Sequence, residues 1–593
     1  MSSEEPRLAG LWAPPAPAGW ETPAALARAL ASGAAWARAH AAEVAAWAAV
    51  GAVALLLRLA ALGDLPLGPD EGAVAMDAWR LALGRAPQAL DASATLTHGL
   101  LVTFVLVGAS DYAARLLPAL AGTALPLAPL LLRGPLGPVA AVGTGTLLAL
   151  SPLAVFASRR VDAAILVAGC LLLLVGTVAR AVDSGQRGWL RASAVLLALL
   201  LASGSVAVPS LLAVVGAAAI AWGGARATVY PRLRALAPRP LPLLALFAAT
   251  LVLVGTAGFT HLRGLQAALV EPWVAWLAPF QPQPFPIPWL PALLLYDLPL
   301  ALAAAAGLAL TARREALFDH FVLWWAALGA LPLLFQPPDP RPYLVVWAVP
   351  LALLGGQALA ALASWGWTRP LLGRALLVGL LGGVDLCFVI NTGRLVASTV
   401  RAPGGVGPQV YAISLGLALL VLGLLLLVHW ALRDWLDSAT LARAVALAAG
   451  ILGLGFAVAA NGRLQYGPDG AGRAELLRPE ALRPEVFTLV EELRTWARQE
   501  PQTPIPVGAA LRPSLLWHLR DVPTVQFVAR APVERPLPRS VWVAGPDAPT
   551  GERRPWRETL TALPPLSSSA LWNWWLYRQS WLVPTRHDII VVR

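Results

Sequence analysis

The chain has 593 residues, of which 58% are hydrophobic and only 13% are charged. Soluble domains carry roughly 25% charged residues, so this composition excludes an ordinary soluble protein and indicates a chain embedded in a bilayer. The net charge is +11 and no lysine occurs. Because the arginines fall in short segments between apolar blocks, they indicate the positive-inside pattern of membrane proteins and not nucleic-acid binding.

The N-terminal segment, residues 1–42, precedes the first apolar block. It begins with Glu4 and Glu5 where a signal peptide would have basic residues, so a cleaved leader is not expected. Thr22-Pro23 is a good helix start, with Thr as the cap and Pro in the first turn. A helix over about 24–41 is therefore predicted to lie on the membrane surface.

Apolar blocks then recur through residues 43–460. Their length of about 17–22 residues is the length that crosses a hydrocarbon core of ~30 Å. They predict a polytopic α-helical membrane protein with about thirteen transmembrane helices. The approximate centres of these helices are Val53, Ala121, Leu147, Leu171, Leu199, Val215, Leu251, Ala303, Trp325, Ala352, Leu380, Leu419 and Gly450.

The arginines between the spans predict the orientation. With the N-terminus in the cytoplasm, the inside loops hold Arg133, Arg180, Arg187, Arg191, Arg226, Arg232, Arg234, Arg239, Arg313, Arg314, Arg369, Arg374, Arg433 and Arg443. The outside loops are longer but hold fewer arginines, which favours this orientation. An odd number of spans then places the C-terminal segment outside the plasma membrane.

The chain changes character in residues 461–593, where prolines and charges become frequent and no block is long enough to span. An apolar stripe at helical spacing over 485–496 and β-like runs at 525–528, 541–543 and 589–592 predict a small extracytoplasmic α/β domain. Four tryptophans form either its core or a surface that touches the membrane: Trp572, Trp574, Trp575 and Trp581.

Polar residues accumulate on the predicted outer side. The first outside loop, residues 63–111, carries the adjacent carboxylates of Asp70 and Glu71, which are either solvated or, beside a low-dielectric surface, suited to general-base catalysis. The same side holds His98, Arg115, Arg159, Arg160, Asp162, Tyr296, Asp297 and Arg341. Ionisable groups at membrane depth usually face a cavity, and paired arginines suit a phosphate, although a topological role is the alternative for each arginine.

These residues resemble motifs of the GT-C membrane glycosyltransferases, which include protein O-mannosyltransferases and aminoarabinose transferases. The run from Arg58 to Trp79 resembles their acidic first-loop motif, and Gly108–Gly122 and Ser151-Pro152 with Ser158-Arg159 resemble the next blocks. The chain looks closest to a bacterial and archaeal GT-C-like family described as flippase-activity-associated. That likeness is carried by Leu295-Tyr296-Asp297, Arg341-Pro342-Tyr343-Leu344, Trp517-His518-Leu519-Arg520-Asp521 and the run Trp575 to Trp581.

The resemblance implies a hexosyl- or mannosyltransferase-like enzyme. It would move a sugar from a polyprenyl-phosphate-sugar donor in the membrane to a protein or glycan acceptor outside. Asp70 would be the general base with Glu71 beside it, and the eight other polar residues would bind substrate, His98 near the donor phosphate. No residue cluster demands a metal, although Asp70 and Glu71 are alternative ligands for Mg²⁺ or Mn²⁺, as in the oligosaccharyltransferase branch.

Departures from the family pattern leave two other hypotheses open. Ala94 and Thr95 stand where the family usually has Asp-Pro, Leu100 where it has Pro, and Asp297 where it has Glu. A non-catalytic GT-C scaffold is one alternative. A flippase or transporter of lipid-linked sugar is the other, and the lack of a detectable repeat between the two halves counts against it.

Overall fold

The computed structural model describes residues 40–87, 93–223, 240–277, 293, 296–314, 316–334, 339, 341–364, 371–400, 408–466, 475, 477–478, 480–529, 539–545, 549–559 and 585–593. The chain divides into two compact units, Met1–Ala49 and Val50–Arg593. Of the first unit only residues 40–49 are described. The predicted surface helix over about 24–41 therefore falls almost wholly outside the described residues, as do the four tryptophans from Trp572 to Trp581.

Helices occupy the region in which the sequence predicts spans. The first half contains α1 (Ala41–Leu59), α2 (Pro69–Ala82), α3 (Ala94–Val107), α4 (Asp111–Ala124), α5 (Arg133–Leu136), α6 (Pro138–Leu150), α7 (Pro152–Ser158), α8 (Ala164–Ser184), α9 (Arg187–Leu201), α10 (Ala207–Gly223), α11 (Leu241–Gly255), α12 (Gly264–Leu269) and α13 (Glu271–Leu277). A 3₁₀ segment, Leu125–Leu132, joins α4 to α5. The second half contains α14 (Leu298–Thr311), α15 (Leu317–Leu334), α16 (Arg341–Ser364), α17 (Leu371–Val400), α18 (Pro408–Trp435) and α19 (Ser438–Asn461).

Every predicted span centre lies in a helix, but the helices differ in length. Within the described residues, seven helical segments are long and apolar enough to cross a membrane, or eight if α6 and α7, bent by 61°, form one broken span. The 15-residue α9 reaches only about 22 Å, short of a hydrocarbon core of ~30 Å. The centres at Leu199 and Val215 lie too close together for two full spans, because a turn at Gly204 (φ +118°) takes part of the chain between them. The chain is therefore a multi-pass membrane protein, but the count of thirteen full-length spans is not confirmed.

Helix α16 lies in the middle of the helical core, where it packs against α14, α6 and α8. Glycines bring these helices close together. Gly307 of α14 faces the backbone of Leu354, and Gly356 of α16 faces Thr144 of α6. A Cβ atom at either glycine would overlap with the facing helix, so both crossings depend on the missing side chain.

Two buried arginines tie the end of α1 to the break between α6 and α7. Arg58, which is 0% exposed, donates to the carbonyls of Leu148 (3.0 Å) and Ala149 (3.1 Å) at the end of α6. Arg159, which follows α7, donates to carbonyls at the end of α1, those of Leu57, Arg58, Ala60 and Ala61. The last carbonyls of a helix have no partner within it, so each arginine satisfies the C-terminal end of another helix.

The C-terminal residues form a mixed sheet with two helices, α20 (Glu485–Gln499) and α21 (Arg512–Leu515). The strands are β1 (Glu480–Leu482), β2 (Ile505–Gly508), β3 (Val525–Val528), β4 (Ser540–Val543), β5 (Glu552–Thr559) and β6 (Thr585–Val592), in the order β1-β5-β6-β4-β2-β3. Strand β2 pairs in parallel with β3 and β4, and the other pairings are antiparallel. The mixture of strands and helices predicted for this end of the chain is therefore confirmed.

The apolar stripe predicted for this domain is buried against the sheet, and it consists of Val486, Leu489, Val490, Leu493 and Trp496. The three predicted β-like runs coincide with β3, β4 and β6. Strand β5 was not predicted, because five of its eight residues are charged and of its side chains only Trp556 and Glu558 are buried. Strand β5 forms by antiparallel pairing with β6, which the sequence of β5 does not indicate.

We expect Arg58→Lys to destabilise the helical core. Lysine keeps the buried charge but has no planar fork, so it cannot reach the carbonyls of Leu148 and Ala149 together. A buried polar group left without a partner costs roughly 1–3 kcal/mol. Thermal unfolding in detergent, followed by tryptophan fluorescence, should show a lower midpoint. Arg187→Lys, at an exposed position, is the matched control, and an equal midpoint in both variants would contradict the capping role.

Candidate active site

The candidate base lies in the first turn of α2. Pro69 is the first helical residue, and Gly68 before it is extended (φ −66°, ψ 170°), as the residue before a proline prefers. Asp70 comes next, with an exposed side chain at the end of the helix where a negative charge is favourable. Its carboxylate takes part in no hydrogen bond or ion pair with the described residues. Asp70 is therefore open to a ligand.

Glu71 has the opposite environment. It is buried, and its carboxylate accepts from Arg115 Nε (3.2 Å), Arg115 Nη2 (3.0 Å), the Val161 amide (3.0 Å) and the Gly68 amide (3.1 Å). Burial by itself would raise the pKa of this carboxyl, but the Arg115 guanidinium reverses the effect and holds the pKa well below its usual range. Two adjacent acids thus differ completely in what surrounds them.

Arg115 also holds the segment that joins α1 to α2. Its Nη1 donates to the carbonyls of Leu62 (3.3 Å) and Leu65 (2.6 Å), and its Nη2 donates to that of Pro66 (3.2 Å). The guanidinium therefore connects Glu71 to the loop in front of α2. This arrangement fixes the position of Asp70, which lies between the two.

Two neighbouring cavities, of about 60 Å³ and about 310 Å³, share the lining residues Asp70, Arg160 and Arg341. The smaller is dominated by charge, with the carboxylates of Asp70, Glu71 and Glu480 and the guanidiniums of Arg115, Arg159, Arg160, Arg341 and Arg478. The larger combines apolar walls with Ser93, Ser203, Ser205, Asp162 and Asp339. Asp70 lies at the border of the two cavities, since it lines both.

Three of the five arginines already have oxygen partners. Arg115 is bound to Glu71, Arg159 to the end of α1 and to Tyr466 (3.1 Å), and Arg341 to Asp339 (2.7 Å). The charges of Arg115 and Arg341 are compensated by the carboxylates of Glu71 and Asp339. Arg159 has its donors satisfied by neutral oxygens, so its charge contributes to the positive potential of the cavity.

Arg160 and Arg478 are different. Neither guanidinium takes part in a hydrogen bond or ion pair among the residues that the structure describes. Both lie against the ring of Phe156, at 5.4 and 5.7 Å from its centroid. Burial and the neighbouring charge of Arg160 lower the pKa of Arg478 to about 10, so it remains a cation at neutral pH. Two close guanidiniums with free donors form a site for an anion.

The larger cavity has acidic groups beside these cations. Asp162 accepts from the amide of Ala164 (2.8 Å), and burial raises the pKa of its carboxyl. Asp339 accepts from Arg341 and so anchors the arginine that separates the two cavities. Hydroxyl groups and carboxylates around an apolar floor suit a polyhydroxylated ligand.

The structure therefore brings together seven of the ten residues that the sequence singled out, because each of them lines one or both cavities: Asp70, Glu71, Arg115, Arg159, Arg160, Asp162 and Arg341. They share a position in the fold, because each lies near the start of α2, α4 or α16 or in the short segment between α7 and α8.

The remaining three predicted residues line neither cavity. His98 lies two residues after Leu96, which lines the larger cavity, so its side chain is on the opposite face of α3. There its Nδ1 lies 2.5 Å from the carbonyl oxygen of Val254. Tyr296 donates to Glu475 (2.9 Å), and the carboxylate of Asp297 accepts from the Ser151 hydroxyl. Their substrate-binding roles stay predictions, and the geometry offers no direct support for them.

Arg478 was missed by sequence reasoning. It lies between Leu477 and Pro479 in the first segment after the last apolar block, among many other charges. The available signal was an arginine close to the membrane on the same side as Asp70. Only the fold shows that this segment returns to the cavity beside α7.

The residues do not fit a divalent cation at Asp70. Both oxygens of Glu71 are occupied by donors from Arg115 and two amides, and the remaining charged neighbours are mainly arginines. Mg²⁺ and Mn²⁺ require several oxygen ligands with free lone pairs. Within the described ranges, no group of three or more His, Cys, Asp or Glu side chains is placed to hold a metal.

No protein-family model matches the chain, and no curated protein matches it. Among solved structures, the chain is similar to ArnT from Cupriavidus metallidurans in the apo state, with 19% identity, coverage of 80% of this chain and 84% of that chain, and a TM-score of 0.49. The same protein bound to undecaprenyl phosphate gives 18% identity, the same coverage of 80% and 84%, and a TM-score of 0.48. The archaeal oligosaccharyltransferase AglB from Archaeoglobus fulgidus, in complex with an inhibitory peptide and a dolichol-phosphate, gives 12% identity, coverage of 83% and 65%, and a TM-score of 0.43.

These neighbours are GT-C membrane glycosyltransferases, the superfamily that the sequence motifs resemble.

We expect the stability contributed by Glu71 to depend on pH in one direction. Its folded-state pKa lies below the ordinary value of 4.5, so the stabilisation is complete above pH 4.5 and is lost as the pH falls toward the folded-state pKa. Glu71→Gln should lower the thermal midpoint at pH 7, and the difference from the parent should narrow below about pH 4.5. Glu491→Gln, at an exposed ion pair, should change little at any pH. A difference that stays constant down to pH 3 would contradict the ionised Glu71–Arg115 pair.

Proposed function

We propose that this chain is a membrane glycosyltransferase that transfers a sugar from a polyprenyl-phosphate-sugar to an acceptor hydroxyl outside the cytoplasmic membrane. One observation carries the proposal. The smaller cavity is lined both by the carboxylate of Asp70 and by the guanidiniums of Arg160 and Arg478, and none of the three has a hydrogen bond or ion pair within the described residues. A general base and a cationic site for a leaving phosphate are the two groups that this reaction needs.

In the proposed reaction, Asp70 accepts the proton of the acceptor hydroxyl as its oxygen bonds to the anomeric carbon of the sugar. The bond between that carbon and the phosphate oxygen breaks, and its electron pair leaves with the polyprenyl phosphate. The phosphate gains one negative charge, which the donors of Arg160 and Arg478 stabilise. Proton, electrons and leaving group are accounted for without another reactant.

The two cavities suggest how the substrates are divided. The small arginine-rich cavity suits the phosphate. The larger cavity, with its serines and Asp162 and Asp339, suits the sugar and acceptor, and its apolar residues suit the start of the prenyl chain. Asp70 borders both, so a sugar held across the junction has its anomeric carbon near the carboxylate.

The other arginines and Glu71 take positioning roles in this proposal. Glu71 and Arg115 hold the start of α2, Arg159 holds the end of α1, and Arg341 with Asp339 holds the wall between the cavities. A change in any of them acts on the reaction through geometry. Mannose as the sugar is a narrower expectation, which the resemblance alone supports.

The orientation is also proposed. The arginine distribution places residues 1–42 in the cytoplasm and residues 461–593 outside, with the membrane domain of residues 43–460 between them. Asp70 and Arg478 line the same cavity and so belong to one side, which is consistent with an outward-facing site fed by a lipid donor.

We expect Arg160→Ala and Arg478→Ala each to weaken the binding of undecaprenyl phosphate roughly ten- to a hundredfold. Charge-assisted contacts to a partly buried phosphate contribute roughly 1.5–3 kcal/mol each. Affinity should be measured by calorimetry on purified protein in nanodiscs. Arg498→Ala, in the same terminal domain but outside both cavities, is the control. Parent-like affinity in both cavity variants would reject the phosphate site.

The base has a separate test. Asp70→Asn keeps the shape but removes the basic lone pair, so transfer from radiolabelled polyprenyl-phosphate sugars should fall about 10²–10⁴-fold while undecaprenyl phosphate binding is retained. Asp64→Asn is a matched control, because Asp64 is exposed in the same loop and lines neither cavity. Full transfer by Asp70→Asn would place the base elsewhere. A parent protein that moves the lipid-linked sugar across the membrane but transfers no sugar would favour the flippase or transporter hypothesis.

A further inference from the structure

Trp517 belongs to the C-terminal domain by sequence but is buried in the membrane-side core. It is 1% exposed and packs with residues of α2, α3 and α4, such as Ala75, Leu100 and Ala113. Its indole stacks on Phe104 of α3, with centroids 5.5 Å apart. The core of the terminal domain itself is a different cluster, built on α20 and the sheet. Trp517 therefore inserts into the first outside loop instead of supporting its own domain.

One carboxylate joins this tryptophan to the backbone in front of α2. Asp111, in the first turn of α4, accepts from Trp517 Nε1 with Oδ1 (2.6 Å) and from the Leu67 amide with Oδ2 (3.1 Å). Leu67 precedes Asp70 by only three residues. Asp111 thus links the C-terminal domain to the backbone segment that leads directly into Asp70, the candidate base.

The neighbours of Trp517 strengthen this link. His518 lies with Nε2 3.3 Å from the Leu67 carbonyl, and Arg520 places its guanidinium 3.9 Å over the Trp517 ring while it donates to the carbonyl of Ala109. Gly72 in α2 leaves room for the close approach, since a Cβ there would lie 3.3 Å from Trp517 Cβ. The contacts thus fall on both ends of the first outside loop.

From these contacts we propose that Asp111 and Trp517 form a latch by which the C-terminal domain positions the Asp70 turn. They are positioning residues, and they act on the reaction through the backbone at Leu67. The proposal rests on the proposed function only in the statement that Asp70 is the base; the latch itself is a structural claim about residues 64–72. It gives the Trp517–Asp521 motif a role that neither cavity provides.

The latch makes a chemical prediction about variants. Trp517→Phe keeps the stacked ring but removes the indole N–H. Asp111→Asn leaves a single oxygen acceptor for two donors. In the double variant the indole donor is gone and the asparagine oxygen is free to accept from the Leu67 amide, so the effect of Asp111→Asn should be smaller in the Trp517→Phe background than in the parent.

Hydrogen–deuterium exchange of the full-length protein in nanodiscs tests the latch directly. Amides of residues 64–72 should exchange roughly tenfold faster, or more, in each single variant, as loss of a buried charge-assisted hydrogen bond allows local opening. Trp542→Phe is the matched control, because it removes an indole hydrogen bond to Ser540 within the same domain and away from the loop. Protection of β4 and β6 should stay parent-like in the latch variants.

A kinetic readout separates positioning from mere stability. The latch variants should lower kcat for sugar transfer while the affinity for undecaprenyl phosphate stays within about twofold of the parent, because Arg160 and Arg478 remain in place. Unchanged exchange over residues 64–72, or faster exchange spread evenly over the sheet, would overturn the latch. If no donor supports transfer by the parent, the proposed function fails while the exchange measurement still decides whether the latch exists.

Discussion

Buried arginine side chains need oxygen acceptors, and for three buried arginines of this chain most of the acceptors are backbone carbonyls at helix ends or in the loop before α2. Arg58, Arg115 and Arg159 each donate to such carbonyls, at the end of α6, in the loop before α2 and at the end of α1. A guanidinium in an apolar interior is costly unless its donors are satisfied, and open helix ends are costly for the reciprocal reason. The same contacts meet both requirements and hold α1, α2, α6 and α7 together at this end of the helical core.

This constraint also determines which charges remain for chemistry. Because Arg115 neutralises Glu71 and Arg341 is paired with Asp339, Asp70, Arg160 and Arg478 are among the charged groups of the smaller cavity that have no hydrogen bond or ion pair within the described residues. A carboxylate and two cations near one another would normally pair. Here Asp70 lies in the first turn of α2, while both guanidiniums lie against the ring of Phe156. A preorganised arrangement of this kind is what stabilisation of developing charge requires.

Much of the fold could be predicted because its elements are set by local pattern. Each span centre falls in a helix, and the stripe of α20 is buried, because apolar periodicity reports directly on which residues avoid water. Helix lengths were less predictable, since a turn such as that at Gly204 divides an apolar stretch without making it polar. Strand β5 was not predicted because its charged composition is untypical of a strand. Its pairing with β6 outweighs that composition.

The sequence by itself determined that this chain crosses a membrane, that a small α/β domain follows, and that Asp70, Glu71 and the arginines near them belong to one polar region. These conclusions depend on composition and on neighbouring residues, which the sequence displays. Only the tertiary structure decided that Glu71 is neutralised while Asp70 is open, that Arg160 and Arg478 both lie against Phe156, that His98 points to α11, and that Trp517 is buried against α2. Each of those outcomes depends on residues far apart in the chain meeting in space, and a side chain's charge and hydrogen bonds are set by what it meets.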